Sequence, residues 1–209
     1  MQFDPNKVSA VVFDWGGVFC NPAEPFASVA LQTTLGMDPE EITAQIPDLY
    51  EDHYRGKYST QMFWCKVMEH FNLTETSDIN PDALSRAYIQ SYRVRPEMVS
   101  VARKLKERYF LGLISNLSPV MRDHIRQTHH TQEIFDVEIY SCDLAVAAIK
   151  PTEVIYTTFL TTAHKTPQEC LFVDDSRQNI EAAERLGFQT LLFTTSTQFF
   201  QDMRTLVER

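Results

Sequence analysis

Short apolar runs that stop abruptly at a polar residue are the feature that most limits the fold of this 209-residue chain. Val8-Ser9-Ala10-Val11-Val12-Phe13 ends at Asp14, Phe110-Leu111-Gly112-Leu113-Ile114 at Ser115, and Cys170-Leu171-Phe172-Val173 at Asp174-Asp175. Runs this short, rich in β-branched and aromatic residues, read as strands buried on both faces. Two weaker runs, Phe135–Tyr140 and Thr190–Phe193, fit the same description. Between them the apolar period changes to that of a helix: through 96–108 (Met98, Val99, Ala102, Leu105), near 118–128, from Pro151 to Ala163, over 176–186 before Gly187, and from about 196 onward. Strands alternating with helices imply parallel pairing through right-handed crossovers.

One stretch breaks the rhythm. From residue 22 to 93 no β-rich run occurs. Apolar residues recur at helical spacing in 26–35, in 60–71 (Met62, Phe63, Val67, Phe71) and in 82–92 (Leu84, Tyr88, Ile89), with Ser59 or Thr60 and Asn80-Pro81 as helix starts. The expected architecture is α/β: a Rossmann-like, mostly parallel sheet flanked by helices, formed by residues 1–20 and 94–209, with an inserted helical bundle over 21–93. The insertion leaves directly after the first strand. Ligands bind at that end of such sheets, so the insertion is placed to act as a lid.

Composition narrows the partners. With 19 basic and 28 acidic residues the formal charge is −9, and no long Lys/Arg block offsets it. That balance argues against a general nucleic-acid binder and against adhesion to anionic membranes. Cys20, Cys65, Cys142 and Cys170 are scattered without a CxxC pair and read as buried reduced thiols. No apolar run approaches a membrane span and no signal peptide is recognisable, so a cytoplasmic location is expected.

Four pieces able to do chemistry fall at strand ends or at loop-to-helix junctions: Asp14, Ser115-Asn116, Lys150-Pro151 and Asp174-Asp175. If the strands are parallel, all four loops point to one sheet edge, and three carboxylates meet one ammonium. Carboxylates crowded in this way repel unless a cation joins them. A few hard oxygen donors suit Mg²⁺, which keeps waters and accepts further oxygens from a phosphate. A lysine beside it neutralises a phosphoryl oxygen as a point charge, and the helix start after Asn116 adds a dipole favourable to an anion. An aspartate at the centre of such a site can act as nucleophile, forming an aspartyl-phosphate that water then cleaves.

These stretches resemble the haloacid dehalogenase superfamily, in the subgroup with a helical cap inserted after the first motif. The resemblance is carried by Val11-Val12-Phe13-Asp14-Trp15-Gly16-Gly17-Val18, Leu113-Ile114-Ser115-Asn116, Ile149-Lys150-Pro151, and Phe172-Val173-Asp174-Asp175-Ser176 with Asn179, Ala182 and Gly187; Arg95-Pro96-Glu97 also fits. It implies a Mg²⁺-dependent hydrolase of a small phosphorylated metabolite, sugar phosphates among the candidates. Asp14 would be nucleophile and metal ligand, Ser115 and Asn116 would bind the phosphoryl group, and Lys150 would stabilise its charge. Asp174, Asp175 and the carbonyl of Gly16 would complete the metal site.

The sequence departs from the family pattern at one telling position. Phosphatases of this superfamily usually carry a second aspartate two residues after the nucleophile, as general acid and then base; here that residue is Gly16. Loss of a positioned acid typically removes about 10²–10⁴-fold in rate, less for a leaving group that departs readily, such as an anomeric sugar oxygen. Two alternatives stay open. One is a 2-haloacid dehalogenase, in which the same aspartate attacks carbon. The other is a catalytically weakened module that binds phosphometabolites. Plainer roles compete as well: Asp174-Asp175 as a helix cap, Asn179 as a buttress of the metal loop, and Arg55 and Lys57 as solvated surface residues. Trp15 packs either beneath the insertion or toward the pocket, and no histidine is assigned a role.

Overall fold

In the computed structural model, which describes residues 3–21, 30–32 and 35–207, β1 (Ala10–Phe13) lies at the centre of a five-stranded sheet. The others are β2 (Phe110–Ser115), β3 (Val137–Tyr140), β4 (Cys170–Asp174) and β5 (Gln189–Leu192), in the spatial order β3-β2-β1-β4-β5. Every pairing is parallel, so the expected "mostly parallel" sheet is wholly so. The chain builds β2 and β3 on one side of β1, then crosses to β4 and β5 on the other. That reversal opens a crevice beyond the carboxyl ends of β1 and β4.

Alternate residues of each strand feed two cores. Val11, Phe13, Leu111, Leu113, Leu171 and Val173 face one layer; Ala10, Val12, Ile114, Cys170 and Phe172 face the other. All four β1 residues are fully buried, which explains why the run shows no polar alternation. Phe13 is the hub of an aromatic cluster, with ring centroids 5.3 Å from Phe19, 6.4 Å from Phe135 and 6.1 Å from Phe199.

Between β1 and β2 the described residues form helices only: α1 (Pro39–Gln45), α2 (Pro47–Tyr54), α3 (Thr60–His70), α4 (Pro81–Ser91) and α5 (Pro96–Lys106). Ser59 caps α3 and Asn80 caps α4 through their side-chain oxygens, with Pro81 at the first turn of α4. The buried face of α5 (Met98, Val101, Ala102, Leu105) repeats at three- and four-residue intervals. After β2 come α6 (Pro119–His129) and α7 (Thr131–Ile134); α8 (Glu153–Ala163) precedes β4, α9 (Arg177–Arg185) follows it, and α10 (Ser196–Asp202) and α11 (Arg204–Val207) end the described chain. Most of the helix expected over 26–35 lies outside the described residues.

Two expectations about side chains are corrected. Met62, assigned to the helical core, is 51% exposed; α3 buries Phe63, Trp64, Val67 and Met68 instead. Cys65, on the opposite side of that helix, is exposed, whereas Cys20, Cys142 and Cys170 are buried and all four are free thiols.

The chain leaves and re-enters the sheet layer at one place. Cys20 and Val94 form an antiparallel bridge, the Asn21 N–H donates to the Arg93 carbonyl (3.0 Å), and the Arg93 N–H donates to Asn21 Oδ1 (2.8 Å).

Candidate active site

Asp14 is the first residue past β1, and its N–H donates to the carbonyl of Val173 on β4 (2.9 Å). The β1–β4 register, Phe13 opposite Val173, therefore sets Asp14 level with Asp174. On the other flank β2 ends at Ser115, whose Oγ–H donates to Asp14 Oδ1 (2.6 Å). The Trp15 N–H reaches the same oxygen (2.6 Å). Lys150 Nζ completes the set, 2.8 Å from Asp14 Oδ1 and 2.6 Å from Asp174 Oδ2. Asp14 is 7% exposed, Lys150 4% and Asp174 fully buried. Asp14, Ser115, Lys150 and Asp174, named from sequence, thus lie in direct contact.

Asp174 is held twice over. Its Oδ1 accepts from the Ser176 N–H at the start of α9 (2.8 Å), and Asn179 Nδ2 lies 3.1 Å from both carboxylate oxygens. The cap and the buttress are therefore both present, without taking Asp174 away from Lys150. Asp175 is exposed on the rim. Oxygen atoms of Asp14, Asp174 and Asp175 all lie within 4.8 Å of one another.

Asn116 has a different geometry. Its Nδ2 donates to the carbonyl of Lys150 (3.1 Å) and its Oδ1 accepts from the Lys150 N–H (2.8 Å). The side chain grips the backbone of the lysine loop, which fixes where the ammonium emerges. The loop ahead of it, Leu144–Ile149, delivers Lys150 into the cluster, with Ala147 in a left-handed conformation (φ 44°). Gly16 is buried in the turn that follows Asp14.

Outside the cluster, Trp15 is fully buried, stacks on Phe19 at 4.9 Å and donates its Nε1–H to the Tyr92 hydroxyl. No sequence signal pointed to Tyr92, which is 77 residues away. Arg55 pairs with Glu51 (2.8 Å) and donates to the Ala147 carbonyl (3.2 Å), and Lys57 pairs with Asp52. His53 is buried, stacks on Phe63 at 4.3 Å, and burial pushes its pKa down to about 4. It is a neutral packing residue.

Electrostatics set what the cluster can hold. Burial, reinforced by the charge of Asp174 and opposed by Lys150, raises the Asp14 carboxyl to about 7. Although Asp175 is exposed as a residue, partial desolvation of its carboxylate and the Asp174 charge raise its pKa as well. Burial works against the charge on Lys150, but Asp14 and Asp174 hold its pKa above the ordinary lysine value. Fully ionised, three carboxylates face one ammonium, an excess of two negative charges that a divalent cation would balance. The donors are all hard oxygens, as Mg²⁺ requires. Asp14, Asp174 and Asp175 are the side chains that could hold it.

Gly17 has φ +72°, and a Cβ there would lie 1.8 Å from Asp175 Oδ2. Gly17→Ala is therefore expected to weaken Mg²⁺ binding at least tenfold by displacing Asp175, on top of a conformational cost of roughly 1–2 kcal/mol. Calorimetric titration with MgCl₂ checks this, and unchanged affinity would show that Asp175 does not contact the metal.

A model of the haloacid dehalogenase-like hydrolases matches residues 8–187. The chain belongs to this family. No curated protein matches its sequence. Among solved structures, the HAD family enzyme bt-2542 of Bacteroides thetaiotaomicron superposes with a TM-score of 0.82 at 17% identity, covering 94% of this chain and 98% of that one. It has also been solved in complex with magnesium and inorganic phosphate. A predicted HAD-like family hydrolase from Porphyromonas gingivalis gives 0.78 at 23% identity, with 97% and 99% covered. A dehalogenase gives 0.62 at 17%, with 90% and 86% covered. At these identities the likenesses establish the haloacid dehalogenase-like fold, and the chemistry must be argued from the site. Among the described residues no helix is long and apolar enough to cross a membrane.

Proposed function

We propose that this haloacid dehalogenase-like hydrolase is a Mg²⁺-dependent phosphatase of small phosphorylated metabolites, working through an aspartyl-phosphate on Asp14. The observation that carries the reading is the Asp14–Lys150–Asp174 contact with Asp175 beside it. Attack of an aspartate on carbon needs no metal, whereas Asp174 and Asp175 beside Asp14 favour one. The magnesium and phosphate complex of the bt-2542 enzyme supports the same reading.

Three donors occupy Asp14 Oδ1: Ser115 Oγ, the Trp15 N–H and Lys150 Nζ. They orient the carboxylate for attack on phosphorus, while the bond from phosphorus to the leaving oxygen breaks. The departing alkoxide takes a proton from water, since Gly16 offers no side-chain acid. A second water then attacks the phosphorus of the acyl phosphate as the bond from phosphorus to Asp14 breaks; its proton neutralises the hydroxide left by the first step, and inorganic phosphate and the Asp14 carboxylate are released. Lys150 Nζ, with two of its three N–H groups on Asp14 and Asp174, has one left for a phosphoryl oxygen, and the Ser115 hydroxyl can serve another only by turning away from Asp14 Oδ1. Asp14, Asp174 and Asp175 would hold a Mg²⁺ ion, which would neutralise charge on the phosphate dianion in this acidic pocket. Residues 21–93 would close over this pocket as a cap and exclude bulk water.

The missing acid shapes the substrate range. Leaving groups of low basicity, anomeric sugar oxygens and aryl oxygens, should turn over about 10²–10⁴-fold faster than simple alkyl phosphates. A screen of phosphorylated metabolites with and without Mg²⁺, anomeric sugar phosphates included, tests the function. Phosphate release abolished by EDTA is the expected result. Mg²⁺-independent halide release from 2-haloacids would replace this reading with a dehalogenase. Calorimetric binding of sugar phosphates without turnover over hours would replace it with a binding module.

A pH signature follows from Asp14. Its pKa is about 7 folded against 3.8 for the ordinary side chain, so the folded state holds the proton more tightly than the unfolded chain. Without metal, the stability contributed by this group falls as pH rises from about 4 to about 7 and is level above that. Mg²⁺ requires the carboxylate, so its stabilising effect grows over the same window. The melting-temperature gain from Mg²⁺ should be larger at about pH 8 than at about pH 5; equal gains would mean that Asp14 is not a ligand.

A further inference from the structure

Arg95 sits where the chain returns from residues 21–93 and lies half-buried, and its guanidinium pairs with no carboxylate among the described residues. It is directed instead at the turn that follows Asp14. Nη1 donates to the carbonyls of Gly17 (2.8 Å) and Val18 (3.2 Å) and to that of Cys20, while the Arg95 N–H donates to the Phe19 carbonyl (2.7 Å). The Arg95 Cζ lies 5.6 Å from the Phe193 ring centre. Four carbonyls in a row along Gly17–Cys20 thus take their donors from one residue. Nη1 has two N–H groups for three carbonyls, so at least one of them is shared.

The turn it grips touches the carboxylates on two sides. At one end the Trp15 N–H binds Asp14 Oδ1. At the other, Gly17 packs directly on the Asp175 carboxylate. Gly16 lies between the two, so the direction of its carbonyl depends on where the turn is held.

We propose that Arg95 is a positioning residue for the metal site: its grip on the Gly17, Val18 and Cys20 carbonyls sets the Gly16 carbonyl and the seat of Asp175. This rests on the reading of the cluster as a Mg²⁺ site, and it makes the hinge of residues 21–93 part of the support of that site. Arg95 touches no substrate in this scheme; it acts through the backbone.

The test compares wild type, Arg95→Lys and Arg95→Met by calorimetric titration with MgCl₂ and by amide hydrogen exchange of residues 15–20 without metal. Arg95→Met is expected to weaken Mg²⁺ binding about tenfold or more, as loss of a group supporting metal ligands does, and to raise exchange across 15–20 while α5 keeps its protection. Arg95→Lys, which restores one charged donor, should recover part of both. If Arg95 serves only to hold the fold together, Arg95→Met will lower the melting temperature yet bind Mg²⁺ as wild type does, and the proposal is overturned. Should Arg95→Met not fold, Arg95→Lys carries the comparison alone, with wild-type affinity as the overturning result. Absence of Mg²⁺ binding to the wild-type chain would overturn the reading of the site and this proposal together.

Discussion

Asp14→Asn is expected to lower kcat on the order of 10⁴–10⁶-fold, the scale on which removal of a covalent nucleophile is felt. The amide keeps the shape of the side chain and an oxygen for Ser115 Oγ and the Trp15 N–H, so the fold should survive. What it lacks is the second carboxylate oxygen and its charge. It also removes a buried charge that burial disfavours strongly enough to raise the carboxyl to about 7. At about pH 8 without Mg²⁺ the variant should accordingly be no less stable than wild type, although it is inactive. Phosphate release and acid-quench detection of a phosphorylated enzyme check the first half, and thermal melts the second. Undiminished phosphate release would remove Asp14 from the mechanism.

Lys150→Met is the second large effect, and it acts on stability as well as rate. The ammonium is enclosed and bridges two carboxylates that are themselves buried. Removing one partner of a buried ion pair typically costs about 3–5 kcal/mol, because the remaining charge has neither water nor a counter-ion. The methionine stem replaces the volume and the apolar contacts, so the loss reports the charge. Mg²⁺ should return part of it by supplying positive charge to the same carboxylates, a rescue that an ordinary packing defect would not show. In the presence of Mg²⁺ the remaining kcat should be down by about 10²–10³-fold, typical of losing one donor to developing charge. Urea unfolding with and without Mg²⁺ measures the stability term. A loss below about 1 kcal/mol, the scale of an exposed pair, would mean that the bridge does not form in solution.

The sheet was legible because its strands are buried on both faces and leave unbroken apolar runs; observed bounds differ from the expected ones by one or two residues at most strands. The cluster was legible for a related reason. In a parallel sheet every strand end points to one edge, so Asp14, Ser115 and Asp174 could be placed together from strand ends alone. Asn116 shows the limit of that logic. Its position at the edge follows from β2, but its side chain turns to the Lys150 backbone, 34 residues on, a choice made by a loop conformation that no local pattern encodes. Met62 shows another. Helix α3 carries apolar residues at 62, 63, 64, 67 and 68, which is too wide a stripe for one buried face, and only packing decides that Phe63, Trp64, Val67 and Met68 turn inward. Arg95 belongs to a stretch that carries the family resemblance, but its contacts are to carbonyls 75 to 78 residues earlier, which bear no side-chain signature.

The bridge between Cys20 and Val94 places the two ends of a long excursion one strand spacing apart. For the sheet, seventy-odd intervening residues are equivalent to a tight turn, because the distance to be closed is the same whatever the length between. Closure entropy grows only with the logarithm of that length, about 0.6 kcal/mol per doubling. The length between these two points can therefore change without disturbing the register of β1 against β2 and β4. Under the proposed reading of that segment as a cap, substrate preference could diverge within it while the Cys20–Val94 bridge keeps its two ends in place.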